Sequence, residues 1–250
     1  MTRALVVLAL VVSATTALAQ VRRFGYGARV LPNPEYDGQF TFVRLSYGPV
    51  RNMYAQSIPW SHDYPLGEQH FMKILHEVSL LRPKTDRTSI YGLEDPQLSK
   101  YPVAYMAEPG LWDITDTEAV AFRAYLLKGG FVIFDDFSED RGGWARFEYA
   151  FRRVLPEARF FELDPSHAIF HSFFEINSFD ILPQAYDSGR PVLRAVYEEN
   201  DPRRRMLAMI NYNTDISEYW EDGGSGLRPI WESNEAYKLG VNYIMYGLTH

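Results

Sequence analysis

The chain has 250 residues, of which 46% are hydrophobic and 23% charged, the composition of a folded globular protein and not of a disordered or fibrous one. Its 32 acidic residues against 25 basic ones give a net charge of −7, without the basic footprint that duplex nucleic acid requires. There is no cysteine, which excludes disulfides, thiolate metal centres, iron–sulfur clusters and a cysteine nucleophile.

Arg3, the apolar run from Ala4 to Val12 and the small-residue site Ala17-Leu18-Ala19 have the form of a signal peptide over residues 1–19. The apolar run is shorter than the roughly 20 residues a membrane span needs. No later segment approaches that length, so the mature chain from Gln20 is expected to be secreted, into a periplasm, without a membrane span. Residues 20–39 contain Pro32, Pro34 and several glycines and show no period, as a linker or N-terminal arm does. Residues 40–250 are expected to form a single α/β domain.

Within that domain, Phe40 to Leu45 alternates apolar and polar residues and reads as a strand, followed by a long loop from Ser46 to Leu66. Phe71, Ile74, Leu75, Val78 and Leu81 mark one face of a helix that Pro83 stops. Ser89–Leu93 is a short strand candidate, and Tyr101–Met106 a stronger one ending at Glu108-Pro109-Gly110. Thr115 and Glu118 form a capping box for a helix running to Lys128, with Gly129-Gly130 as its exit. Phe131–Phe134 is a continuous apolar run, as expected of a strand covered on both faces. A helix is expected next over Trp144–Val154, then a strand over Arg159–Leu163. Pro191–Tyr197 and Met206–Tyr212 read as an antiparallel hairpin around Asn200-Asp201-Pro202, with Arg203-Arg204-Arg205 as its solvated tip. Ser233 or Asn234 is expected to cap a final helix through Leu248, whose Gly240 and Gly247 suggest close packing on the sheet.

Strands separated by helices predict a doubly wound, mostly parallel sheet with helices on both faces. Ligands of such sheets meet the loops at the carboxyl ends of the strands. Asp135-Asp136-Phe137-Ser138-Glu139-Asp140 comes directly after the buried strand. Carboxylates so placed suit a hard cation or, by mutual repulsion, a held proton. Equally, Asp136 or Ser138 can cap the next segment while Glu139 and Asp140 are solvated. Asn211, Asn213 and Asp215, with Glu218, Glu221 and Asp222 beyond, resemble the oxygen-ligand spacing of a calcium loop, but the glycine and closing glutamate of an EF-hand are out of place. Asx turns and helix capping account for the same residues. Trp60, His62 and Asp63 lie in the long loop, with no nucleophile assignable to them. His167 and His171 have helical zinc-pair spacing without a third ligand, and Asp164-Pro165-Ser166 more simply starts a single turn. GxSxG, Walker A and post-strand GxGxxG motifs are absent.

Taken together, Phe42–Tyr47, Trp60–Pro65, Asp95-Pro96-Gln97-Leu98 before Tyr101-Pro102, Tyr125–Asp136, Asn213-Thr214-Asp215 with Trp220, and Leu239–Asn242 resemble a bacterial domain-of-unknown-function family, numbered 4159, over about residues 40–249. The resemblance implies a flavodoxin-like sandwich similar to class I glutamine amidotransferase domains. In the place where an amidotransferase carries its nucleophilic cysteine, the resemblance puts Asp135 and Asp136, so the chain is not an active glutamine amidotransferase. No catalytic residue carries over.

The expected site therefore has Asp135 and Asp136 at its floor, Glu108 and Gly110 beside them, Trp60, His62 and Asp63 as a wall, and Asn213, Asp215 and Trp220 towards a rim. The first expectation is a non-catalytic module of the bacterial envelope that binds a small ligand or a partner protein. The alternative is a cysteine-free, metal-assisted hydrolase that uses Asp135 and Asp136 as ligands. No organic cofactor is expected; a divalent cation is the one group that the carboxylates suit.

Overall fold

A computed structural model describes residues 30–48, 58–139, 143–180 and 189–250. The expected signal peptide, residues 20–29 of the arm, and Asp140 lie outside the described residues. In chain order the elements are β1 (Val43–Ser46), α1 (Leu66–Val78), β2 (Ser89–Gly92), β3 (Val103–Ala107), α2 (Asp116–Leu127), β4 (Phe131–Phe137), α3 (Gly143–Val154), β5 (Phe161–Glu162), β6 (Val192–Tyr197), β7 (Met206–Tyr212), α4 (Ile216–Glu221) and α5 (Ile230–Thr249).

The seven strands form one sheet in the order β2-β1-β3-β4-β7-β6-β5. The first five in that order pair in parallel, whereas β6 pairs antiparallel with both β7 and β5. This is the doubly wound, mostly parallel α/β architecture that the alternation of elements predicts, and it fits the flavodoxin-like fold that the resemblance implies, with the expected β6–β7 hairpin. Among the described residues no helix is long and apolar enough to cross a membrane.

Both faces of the sheet are covered, which is why the central strands are apolar without interruption. Val103, Tyr105 and Ala107 of β3 pack with Phe71 and Leu75 of α1, Trp220 of α4 and Leu239 of α5. The intervening Ala104 and Met106 turn to the other face, where they meet Phe122 of α2 and Phe147 and Phe151 of α3. The helix boundaries reflect local chemistry. Thr115 accepts from the Glu118 amide at 3.2 Å while the Glu118 carboxylate accepts from the Thr115 amide at 2.8 Å, a complete capping box for α2.

Three local expectations change. The last helix begins at Ile230 after Pro229 and not at Ser233 or Asn234, because a proline fits the non-hydrogen-bonded start of a helix without penalty. Gly240 packs on α1 and α4, not on the sheet: a Cβ there would lie 2.7 Å from Trp220 and 2.8 Å from Phe71. Gly247 does face the sheet, at Phe131 and Val103. Arg205 is no solvated tip either. Its guanidinium donates to Gly130 O at 2.9 Å and to Leu126 O at 2.6 Å, satisfying carbonyls at the end of α2. Residues 30–39 run beside the outer strand, where Asn33 both donates to Ile90 O and accepts from Ile90 N at 2.8 Å, so this part of the arm occupies the open edge of β2.

Candidate functional site

The chain passes from β1 outwards to β2 and then back across to β3, so the sheet has a switch in strand order at β1 and β3. Crevices open at such points, outside the carboxyl ends of the strands. Four polar segments meet there: the loop after β1 with His62 and Asp63, the turn after β3 with Glu108, the end of β4 with Asp136, and the turn after β7 with Asp215.

Each is held by the fold. The loop after β1 is anchored by Arg44, an arginine on a strand covered on both faces. Its guanidinium is 1% exposed, pairs with the equally buried Glu68 of α1, and donates to the carbonyls of Trp60 at 2.9 Å and His62 at 2.8 Å. Asp63, Glu108, Asp136 and Asn213 all have φ between 47° and 61°, the left-handed region that side chains other than glycine seldom occupy. Non-glycine strain of this kind concentrates at functional sites and persists only where surrounding contacts impose it.

The two adjacent aspartates part company. Asp135 keeps the strand alternation and points to the face of Tyr105. Its carboxylate accepts from the Tyr105 hydroxyl at 2.8 Å, the Asn211 side chain at 2.9 Å, and the amides of Ile216 at 3.1 Å and Ser217 at 3.2 Å. It therefore secures the first turn of α4 to the end of β4, and it is not in the cluster with Asp136. Burial, with Asp215 nearby, pushes its carboxyl up to about 7 despite those donors. Asp136, one residue on and in left-handed backbone, turns instead to His62, with Nδ1 to Oδ2 at 2.6 Å.

Around that contact the carboxylates converge. One ligand atom from each of His62, Asp63, Asp136 and Asp215 lies within 4.8 Å of every other. Asp63, Asp136 and Asp215 are at most 5% exposed, while the His62 side chain retains 34% exposure and forms the open side. Ser217 bridges two of them, its hydroxyl donating to Asp63 at 2.6 Å and lying 3.0 Å from Asp215. Asp215 also caps α4, accepting from the Glu218 amide at 2.9 Å. Asp63 Oδ1 is buried, accepts no hydrogen bond and lies 3.5 Å from His62 Nδ1.

Burial and the Asp215 charge raise the carboxyls of both Asp63 and Asp136 well above the ordinary range. Burial disfavours the His62 cation, yet the touching Asp136 carboxylate, with Asp63 and Asp215 beside it, pushes the imidazole up to about 11. Three buried carboxylates facing a single imidazole hold an excess of negative charge that a proton or a cation must offset.

The other expected residues take different places. Glu108 is buried beside Asp136 and adds to its negative surroundings. Gly110 is buried within the single turn Pro109–Leu111. Trp60 is half-buried in the turn Pro59–Ser61 and offers the site its carbonyl anchor. Asn213 is a turn residue whose side chain donates to Arg190 O at 3.1 Å, outside the cluster. Trp220 is no rim: it is 1% exposed and stacked on Phe71 at 4.2 Å, because α4 lays its apolar side on α1. His171 meets Glu175 and Pro165 O, and among the described residues no metal-type cluster includes either it or His167. Arg44, Glu68 and Ser217 escaped the sequence reasoning. The one available signal was a charged residue inside the apolar strand at Arg44.

No curated protein matches the sequence. The model of one protein family, described as Domain of unknown function (DUF4159), matches residues 41–248, nearly the whole of the described domain, and the chain belongs to that family.

Proposed function

We propose that the domain is a divalent-cation site at the carboxyl end of the sheet, with His62, Asp63, Asp136 and Asp215 as ligands and a ligand or water admitted on the His62 side. The observation that carries this reading is the mutual approach of those four ligand atoms within 4.8 Å. That is the span of donors on opposite sides of an ion at about 2.0–2.4 Å from each. One imidazole with three carboxylates suits Mn²⁺ or Zn²⁺ better than Ca²⁺, whose usual ligands are all oxygen. A bound ion of this kind acidifies a coordinated water and polarises a carbonyl or phosphoryl oxygen, which makes hydrolysis the matching chemistry. The chain's own part is to hold the carboxylates dry and to keep one side open. Asp63 Oδ1 supports the reading: buried, accepting no hydrogen bond and facing the His62 imidazole at 3.5 Å, it is an acceptor that a cation beside that ring would satisfy.

Thermal melts of the purified protein with and without Mn²⁺, Zn²⁺, Mg²⁺ and Ca²⁺ test this. At 100 times its dissociation constant an ion adds about 2.7 kcal/mol, a rise of about 5–10 °C for a chain of this size. The rise is expected with Mn²⁺ or Zn²⁺ and is expected to vanish in Asp136→Asn and His62→Ala. Melting points that no ion moves, or that move equally in both variants, refute the site.

The same proposal sets the domain in the bacterial envelope, on the strength of the leader-like residues 1–19. N-terminal sequencing of protein isolated from the envelope fraction is expected to begin at Gln20. A start at Met1 contradicts export.

A further inference from the structure

A cavity of about 520 Å³ opens where α1 and the start of α5 meet the loop that joins α4 to α5. Its lining holds three basic side chains, His70, Lys73 and Arg228, and no carboxylate. That runs against the balance of a chain whose net charge is −7. The cavity between the arm and α1 follows that balance instead, with Glu35, Asp37, Glu77 and Asp86 in its walls. None of the three basic residues belongs to the cation cluster of His62, Asp63, Asp136 and Asp215.

Each of the three keeps a nitrogen for something else. Among the described residues Lys73 makes no ion pair, whereas Lys84 is committed to Asp37 and Lys238 to Glu235. Arg228 donates through Nη2 to Glu218 at 2.7 Å and sets Nε 3.5 Å from Asp222, which leaves Nη1. His70 is oriented by the Trp220 carbonyl, which only accepts, so Nδ1 carries the hydrogen of their 2.9 Å bond and Nε2 is the ring atom left over. Gly224 and Gly226, with φ of +78° and +77°, present bare backbone on the same wall. Ile74, Tyr237 and Ile230 supply apolar surface, and Ile230 is 77% exposed. Apolar surface with a few polar groups on a concave wall is the ordinary form of a small-molecule site.

We propose that this cavity binds a phosphate monoester bearing an apolar group, with the phosphoryl oxygens on Lys73 and Arg228 and the organic part against Ile74, Ile230 and Tyr237. Two cationic donors in a wall without carboxylates call for an anion. His70 Nε2 decides which anion. A phosphate monoester, whose second ionisation lies near pH 6, shares a proton with an imidazole whichever of the two carries it. A carboxylate ionises about two units lower and has no proton to share at neutral pH. The site has no residue in common with the cation cluster and does not depend on it.

The test is calorimetric titration of the purified, metal-free protein with phenyl phosphate. Saturable binding at one site is expected, with benzoate and phenol at least tenfold weaker. Lys73→Ala is expected to raise Kd about tenfold, as the loss of one charge-assisted contact does, and Arg228→Gln to do the same. Lys73 is exposed, so Lys73→Ala is expected to melt as wild type does. Lys128→Ala, at an exposed lysine outside the cavity, is expected to bind as wild type, and so is Asp136→Asn. Co-sedimentation with phosphatidylcholine vesicles that carry phosphatidic acid separates the two sources of such a group. Pelleting that Lys73→Ala abolishes assigns it to a lipid headgroup; phenyl phosphate binding without pelleting assigns it to a soluble ester. No binding of either probe overturns the proposal and leaves the cation site standing. Benzoate bound as tightly as phenyl phosphate overturns it, and so does binding that Lys73→Ala and Lys128→Ala weaken equally or that Asp136→Asn alone abolishes.

Discussion

Asp135→Ala is expected to destabilise the protein by about 4 kcal/mol or more, because each buried donor left unmet costs about 1–3 kcal/mol. Four such donors end on this carboxylate: Tyr105 Oη, Asn211 Nδ2 and the amides of Ile216 and Ser217. The losses are not additive, since all four groups share one partner. In a chain of this length the melting point should fall by about 8–16 °C. The conservative Asp135→Asn keeps one acceptor oxygen for the amides of α4 and is expected to fall less. Its decisive property is the response to metal: Asp135→Asn retains the Mn²⁺-induced rise in melting point, whereas Asp136→Asn loses it. If Asp135→Ala melts within about 1 kcal/mol of wild type, the structural role is wrong. If Asp135→Asn abolishes the Mn²⁺ response while folding normally, Asp135 is a ligand after all.

Arg44→Met is expected to cost about 3–5 kcal/mol, because removing one member of a buried pair strands the other's charge in the core. Glu68 is the residue stranded, at 1% exposure. The carbonyls of Trp60 and His62 lose their donor in the same step. Arg44→Met/Glu68→Leu is expected to recover most of the loss, since replacing both members by apolar residues of similar volume is often neutral. It is not expected to recover the Mn²⁺ response, because the loop bearing His62 and Asp63 is then no longer tied to β1. Urea unfolding of the wild type, both single variants and the double variant measures the first expectation, and melts with Mn²⁺ the second. A double variant no more stable than Arg44→Met contradicts the account of the pair. One that responds to Mn²⁺ as strongly as wild type shows that the guanidinium does not position the site.

Much of the architecture was legible from residue order. The apolar run Phe131–Phe134 announced a strand covered on both faces, and it lies in the middle of the sheet with α1, α4 and α5 on one side and α2 and α3 on the other. The Thr115–Glu118 box marked the start of α2 to the residue. The acidic end of β4 and the His62-Asp63 loop were both visible as candidates. What could not be seen was that Asp136 joins His62 while its neighbour Asp135 serves α4, or that Trp220 belongs to the core. Nor could the sequence mark Ser217, an ordinary serine in a short helix, as the bridge between Asp63 and Asp215.

The physical reason lies in the range of the interactions. Strands, helices and caps arise from residues a few positions apart, so periodicity and capping patterns determined the elements, their alternation and hence the mostly parallel sheet. The cluster depends instead on groups far apart in the chain, His62 and Asp136 being separated by 74 positions and Asp63 and Ser217 by 154. Only the order of strands brings those segments to one crevice. Within it, the direction of each side chain was decided by left-handed backbone at Asp63 and Asp136 and by the buried Arg44–Glu68 pair. Residue order alone determined which carboxylates were available at the ends of the strands; tertiary packing decided which of them meet, because a backbone turn of one residue sends adjacent aspartates to opposite tasks.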